Sequence, residues 1–275
     1  MPLLTDLEHH LRPFTPEGIA VAFSGGVDST LLLAVLARMR QQSDFPLHAW
    51  YACSVFQPEP EKQQAAALAG QLGVGLTVLP FDPLALPEVQ NNPPDRCYHC
   101  KYALFAALHR ASQAAGLTHL MDGSHYDDES AYRPGRRALR EWGVHSPLAA
   151  LGIGKTAIRQ LATDLGLSCA GKPAAPCLAT RFPYGTRLEP ALLRRVEAGE
   201  NAIRQYFPDL PDFRLRCHGD LARIEVAPDA LPLLFARRHE LTGLLKPLGF
   251  AFVTLDLEGF RSGCFDPAEN SAAAR

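Results

Sequence analysis

Apolar runs and polar breaks alternate in a regular order along the first part of the chain. Ile19-Ala-Val-Ala-Phe23 is a short apolar run that predicts a buried strand, and Leu31 to Ala37, beyond a glycine pair, has the length and composition of a buried helix. The order then repeats, with a strand over Leu47 to Cys53, a helix over Glu59 to Leu72 and a strand over Leu76 to Phe81. A proline-rich loop through Asn91, Pro93 and Pro94 precedes a helix over Lys101 to Ala115 and a strand over Thr118 to Met121. A polar stretch to Gly143, the short segment Val144 to Leu148 and a helix over Lys155 to Leu165 follow. This alternation predicts an α/β fold built on a doubly wound parallel sheet.

Further on the pattern changes. Gly171 to Gly185 is rich in proline and alanine, with few periodic apolar positions, and reads as a linker or an ordered active-site loop. Beyond it come a helix over Glu189 to Tyr206, paired strands over Phe213 to Cys217 and Ala222 to Val226 around His218-Gly219-Asp220, another helix, and a last strand near Phe250 to Leu255. These predict a smaller C-terminal α+β domain, with 1–180 as the first domain and 181–275 as the second.

A hydrophobic fraction of 47% and a charged fraction of 20% are ordinary for a globular chain. The net charge of −2 supplies no global basic field for nucleic acid, so any anion must be bound by local arrangements. Met1 to Glu17 does not have the pattern of a signal peptide, and no stretch has the length of a membrane span, so the expectation is a cytoplasmic protein without a membrane partner. Seven dispersed cysteines are then thiols, and most such thiols are simply small buried apolar groups.

Ser24-Gly25-Gly26-Val27-Asp28-Ser29 lies where the first strand should turn into a helix. Glycines let the backbone approach a ligand, and the helix start offers unpaired amides and positive dipole to a phosphate. Ser24, Ser29 and Thr30 can add hydroxyls, while Asp28 can orient an amide or approach magnesium. The same string could merely cap a helix, and the missing glycine-lysine pair argues against a Walker loop. Asp122-Gly123-Ser124 with Asp127-Asp128 follows a predicted strand at its carboxyl end, where open α/β sheets bind ligands. Its carboxylates could hold magnesium or ribose, or form a solvated turn. Arg133, Arg136 and Arg137 form a basic cluster, and Lys155 after Gly152-Ile-Gly154 could meet pyrophosphate or stand exposed.

Cys97-Tyr-His-Cys100 has a spacing suited to zinc, iron–sulfur or redox chemistry, with no second such pair. Cys177 is flanked by Lys172 and Arg181, cations that favour thiolate, though an inert buried thiol would fit too. Arg214 and Arg216 alternate on a predicted strand and share one face, where they could bind a phosphate bidentately or simply meet solvent. Glu200 and Glu225 are weaker candidates, since carboxylates on helices and strands are mostly at the surface.

The string Ser24 to Ser29 resembles the PP-loop of ATP pyrophosphatases, a HUP-like superfamily that cleaves ATP between its α and β phosphates and adenylates a substrate. Several further strings together resemble the larE family, the sulfur transferases that mature the nickel-pincer cofactor of lactate racemase. They are Arg96-Cys-Tyr-His-Cys-Lys101, Asp122-Gly-Ser124 with Asp127-Asp128, Tyr132-Arg-Pro-Gly135, Ser146-Pro-Leu148, Lys172-Pro173 to Arg181, Pro183-Tyr-Gly185, Arg214-Leu-Arg216 with His218-Gly219, and Ala222-Arg-Ile-Glu225. The resemblance implies ATP and magnesium at Ser24, Gly25, Gly26, Asp28, Ser29, Thr30, Asp122, Ser124 and Lys155, with Asp28 and Asp128 nearest the metal. It implies a nucleotide substrate, pyridinium biscarboxylate mononucleotide, bound by Arg181, Arg214, Arg216 and Glu200, and sulfur delivery by Cys177.

Within the family the sulfur comes either from that cysteine, leaving dehydroalanine, or from sulfide on an iron–sulfur cluster. Cys97, Cys100 and Cys177 would then be the three cluster ligands. A homo-oligomer and the other nickel-pincer maturation proteins as pathway partners are also implied. Two other readings stand beside this one: a PP-loop tRNA thiolase or amide-forming synthetase, and a non-catalytic nucleotide-binding carrier of sulfur or metal.

Overall fold

The structure, a computed structural model, describes residues 2–129, 134–173, 176–210, 212–261 and 264–265. Tyr132 and Arg133, and Ala174-Ala175 in the string that leads to Cys177, lie outside the described residues. The chain divides into two compact units, Met1–Asp82 with Asp95–Ala175, and Pro83–Pro94 with Pro176–Arg275.

The first unit opens with helix α1 (Pro2–Leu11), which buries Leu4, Leu7 and Leu11, a spacing that lines one face of a helix. Then come β1 (Ile19–Ala22), α2 (Val27–Gln42), β2 (Leu47–Cys53), α3 (Glu59–Gln71) and β3 (Leu76–Pro80). The single-turn α4 (Pro87–Gln90) belongs to the second unit. The first unit resumes with α5 (Arg96–Ala114), β4 (His119–Asp122), α6 (Gly135–Glu141), α7 (Pro147–Ala150) and α8 (Lys155–Asp164).

Its four strands form one sheet in the order β3-β2-β1-β4, parallel throughout. Alternation of side chains gives the sheet two apolar faces. Ile19 and Val21 join the core of α1, α2, α3 and α8, while Ala20 and Leu120 pack with Phe105, Leu108 and Leu139 from α5 and α6 on the other face. This is the doubly wound parallel sheet that the alternation predicts. Successive strands run outward from β1 through β2 to β3, and then β4 returns to the opposite side of β1. The direction of winding therefore reverses between β1 and β4, the place where an open sheet leaves a crevice at its carboxyl edge. Ala22 pairs with Asp122, so the two strands end level and their following loops emerge side by side.

One helix differs from its sequence expectation. α5 begins at Arg96 rather than Lys101, which puts Cys97 and Cys100 in its first two turns, three residues apart and so on one face. Asp95 precedes it without a side-chain cap bond, so the usual signal of a helix start is missing.

The second unit carries α9 (Pro190–Tyr206), β5 (Phe213–His218), β6 (Leu221–Val226), α10 (Leu231–Ala236), α11 (Arg238–Leu245) and β7 (Phe252–Leu255). β5 and β6 form a hairpin, and β7 joins β6 in parallel, giving a mixed three-stranded sheet in the order β5-β6-β7. Gly219, at φ +64°, makes the tight hairpin turn. α9 lies close on the sheet, because a Cβ at Gly199 would come within 2.5 Å of the Leu215 side chain. Among the described residues no helix is long and apolar enough to cross a membrane.

Candidate functional site

In the first unit the Ser24–Gly26 loop is shaped by its own hydrogen bonds. Ser29 Oγ donates to the Gly26 carbonyl and accepts the Ser24 amide, and Ser24 Oγ accepts the Gly26 amide. Gly25 sits at φ +71°, and a Cβ there would lie 3.0 Å from Ala65 on α3, so both conformation and space require glycine. Gly26 caps α2 without a side-chain bond. The first amides of α2, at Val27, Asp28 and Ser29, have no carbonyl one turn back in the helix, and an anion would complete them. Thr30 is fully buried, and its hydroxyl has no hydrogen-bond partner among the described residues.

The loop after β4 abuts this one. A Cβ on Gly123 would fall 2.6 Å from the Ser29 nitrogen, so backbone touches backbone. Asp122 is buried and accepts hydrogen bonds from Ser124 Oγ at 2.5 Å and Ser146 Oγ at 2.6 Å. Ser146 is positioned by its neighbour His145, which extends the sheet by a parallel bridge to Met121. Burial lowers the His145 pKa, helped by the nearby His119 and His10.

Lys155 stands at the first position of α8, and its ammonium bridges both oxygens of Asp28, at 2.6 and 2.8 Å. Asp127 accepts the Lys155 amide at 2.7 Å and so fixes the start of that helix. Asp128 is buried and accepts the His125 amide. Arg136 and Arg137 do not act as a pair: Arg137 binds Glu141 and lies over the Tyr98 ring, whereas Arg136 reaches the Asp128 carbonyl. Arg96 is buried and donates to Cys97 Sγ at 3.4 Å. Lys172, read from sequence as a cation beside Cys177, has its ammonium on Glu61 at 2.6 Å, with the Gly25 carbonyl at 3.4 Å.

The second unit gathers charge by other means. Asn92 donates its amide to the Phe182 and Pro183 carbonyls, tying the Pro83–Pro94 segment to the loop beyond Cys177. Cys177 precedes a turn of 3-10 helix, Leu178–Arg181, and its carbonyl accepts both the amide and the hydroxyl of Thr180. Arg181 is buried and clasps Glu200 through two hydrogen bonds, at 2.8 and 3.1 Å, while its other nitrogen reaches the Cys177 carbonyl. Arg216 donates to the Thr180 carbonyl at 2.7 Å and to Glu225 at 2.9 Å. Glu225, 1% exposed, also receives Arg223 at 2.8 Å and the thiol of Cys264 at 3.3 Å. Burial, with Glu225 nearby, raises the Cys264 pKa to about 11, so that thiol stays protonated.

Glu200 and Glu225, expected at the surface, are thus both buried. The reason is arginine: Arg181 clasps Glu200 through both oxygens, and Arg216 and Arg223 each take one oxygen of Glu225. Arg214 is the exception in the cluster. It is 8% exposed and donates to the carbonyl of its own neighbour Phe213, with its guanidinium over the Phe260 ring. Among the described residues no carboxylate lies at ion-pair distance from it. Burial lowers its pKa, and Arg181 adds to that effect.

All seven cysteines are thiols. Among the described residues, no three His, Cys, Asp or Glu side chains within either unit are grouped to hold a metal ion. A magnesium ion needs few protein carboxylates, since it commonly keeps water and substrate phosphate as its other ligands.

A PP-loop domain family matches residues 2–131. The chain is 36% identical to the pyridinium-3,5-bisthiocarboxylic acid mononucleotide synthase of Lactiplantibacillus plantarum, over 89% of this chain and 87% of that one. It is 38% identical to an uncharacterised protein of Synechocystis, over 88% of this chain and 90% of the relative. A tRNA(Ile)-lysidine synthase of Alkalilimnicola ehrlichii is 34% identical over only 46% of this chain and 27% of its own.

Proposed function

Because the chain belongs to the larE family of PP-loop ATP pyrophosphatases, we propose that it adenylates a carboxylate of pyridinium biscarboxylate mononucleotide and converts it to a thiocarboxylate, with sulfur delivered through Cys177. The observation that carries this reading is Arg214, a buried guanidinium without a carboxylate at ion-pair distance among the described residues. A buried cation of that kind is costly unless an anion completes it, and a nucleotide phosphate is the anion this substrate supplies. Similarity along nearly the whole chain to a synthase of the bisthiocarboxylic product supports the same substrate.

In the first unit the amides at the start of α2 and the ammonium of Lys155 hold the phosphates of ATP. The substrate carboxylate attacks the α phosphorus, and pyrophosphate leaves. Asp28 and Asp128 are the residues that would hold magnesium, which would supply neutralisation of phosphate charge. The Cys177 thiolate then attacks the acyl carbon, and AMP leaves with the electron pair of the broken carbon–oxygen bond. In the sacrificial form a base removes the α proton of Cys177, a Cα–Cβ double bond forms, and the Cβ–S bond breaks to release the thiocarboxylate. Arg181 and Thr180 fix the backbone of Cys177, and Arg216 fixes Thr180, so the sulfur and the arginine cluster are positioned together. A homo-oligomer and pathway partners that carboxylate the nucleotide and insert nickel complete the proposal.

The test is turnover with ATP and the carboxylated pyridinium nucleotide, read as AMP, pyrophosphate and intact protein mass. Equal AMP and pyrophosphate are expected, with a loss of about 34 Da, the mass of hydrogen sulfide, at Cys177. Unchanged mass with repeated turnover by a brown anaerobic preparation would assign the sulfur instead to a cluster on Cys97, Cys100 and Cys177. Absence of AMP with this substrate, together with a tight, salt-sensitive tRNA complex, would overturn the proposal in favour of a tRNA-modifying enzyme.

A further inference from the structure

Three elements of the first unit converge on Gly25. Ala65 of α3 blocks any side chain there. Glu61, one helical turn before Ala65, holds the Lys172 ammonium at 2.6 Å, and that ammonium stands 3.4 Å from the Gly25 carbonyl. Arg159 of α8 grips the main chain on either side of this contact, donating to the Ala170 carbonyl at 3.0 Å and the Lys172 carbonyl at 3.1 Å. The main chain at Lys172 is therefore anchored, while its side chain ends in a charge placed against the phosphate loop. Lys172 and Glu61 are each 17% exposed, so solvent screens the pair only weakly.

We propose that Lys172 is a further phosphate-binding residue of the adenylation reaction, and that Glu61 is the carboxylate that competes with ATP for it. This rests on the nucleotide reading of the Ser24–Gly26 loop. The physical ground is a contest between two anions for one ammonium. Glu61 offers a single carboxylate, whereas a triphosphate in the loop brings several negative charges within reach of a cation already touching that loop. Lys155 is held in the same way by Asp28. The two lysines come from the two ends of the α8 region, so a phosphate chain would be met by a cation from each. Lysine suits this role, because its flexible stem carries a point charge that can change partners without moving the backbone.

A purely architectural ion pair predicts the opposite sign for one variant, and that difference is the experiment. ATP-dependent pyrophosphate release would be measured in single-turnover reactions with unaltered protein and with Glu61→Gln, Lys172→Met, Lys172→Arg and the double variant, the ATP concentration at half-maximal rate serving as KM and the maximal rate as kcat, with melting temperature alongside. Glu61→Gln is expected to lower the ATP KM by about 3-fold or more, because it frees the ammonium while keeping the side-chain shape. Lys172→Met should raise the KM by roughly 10-fold, Lys172→Arg should fall between, and the double variant should match Lys172→Met. A Glu61→Gln KM that rises or does not change would overturn the proposal, as would an unaltered KM in a folded Lys172→Met protein. If unaltered protein released no pyrophosphate with any carboxylate substrate, the nucleotide reading itself would fall, and this inference with it.

Discussion

In the first unit the groups that await an anion belong mainly to the backbone: amides at the start of α2, a loop shaped by Gly25 and Gly26, and lysines that are already held by Asp28 and Glu61. In the second unit they are side chains: Arg214, beside three arginines, Arg181, Arg216 and Arg223, that are packed against Glu200, Glu225 and Asp256. Backbone amides survive every substitution except proline and are set by the sheet, so the first arrangement is robust to most side-chain change but depends on glycine. Buried guanidiniums depend on each partner, because deleting one carboxylate strands a charge. The phosphate binding proposed for both units would thus carry opposite mutational sensitivities.

The sharpest way to break this contrast is Glu225→Ala. It removes the shared partner of Arg216, Arg223 and the Cys264 thiol, and should cost about 3–5 kcal/mol of stability. Urea midpoints would show this, and a midpoint unchanged from the parent would mean that the cluster is solvated. A smaller, crossed effect is expected from Arg214→Met and Gly25→Ala. Arg214→Met should leave stability and ATP affinity intact but raise the KM for the nucleotide substrate by roughly 10-fold to 100-fold. Gly25→Ala should weaken ATP binding and cost about 1–2 kcal/mol for the positive φ alone, leaving the substrate KM unchanged.

The smallest effect concerns pH. His145 in the first unit and His218 in the second both have pKa values below the ordinary 6.5, chiefly through burial. The unfolded chain therefore takes up these protons first as pH falls. Stability is full above about 6.5 and declines below it. His145→Gln should flatten that decline in the first unit alone, as followed by hydrogen exchange of α1 and β4 amides at pH 7.5 and 5.5.

The parallel sheet was readable because apolar runs, a glycine pair and long buried helices repeat in one order. The start of α5 was not: with Pro93 and Pro94 just upstream and no capping side chain, nothing local distinguishes Arg96 to Cys100 from loop. α1 did leave a signal, Leu4, Leu7 and Leu11 at helical spacing, which prolines nearby obscured. Arg214 and Arg216 could be placed on one strand face by alternation, yet their surroundings come from strand pairing. Arg214 stands opposite Glu225, and Arg216 opposite Arg223, a register that composition does not encode. The burial of Glu200 and Glu225 follows from those same long-range pairs. Glu61 carried no local mark either, since its partner lies 111 positions away.

The two serines on Asp122 carry one more consequence. Both hydroxyl hydrogens are directed at the carboxylate, so the hydroxyls of Ser124 and Ser146 have only lone pairs left to offer a ligand. That corner would welcome a sugar hydroxyl or an amino group and repel a phosphate oxygen. An inhibitor designed for this protein should therefore place a hydrogen-bond donor there and keep its negative charge for the glycine loop.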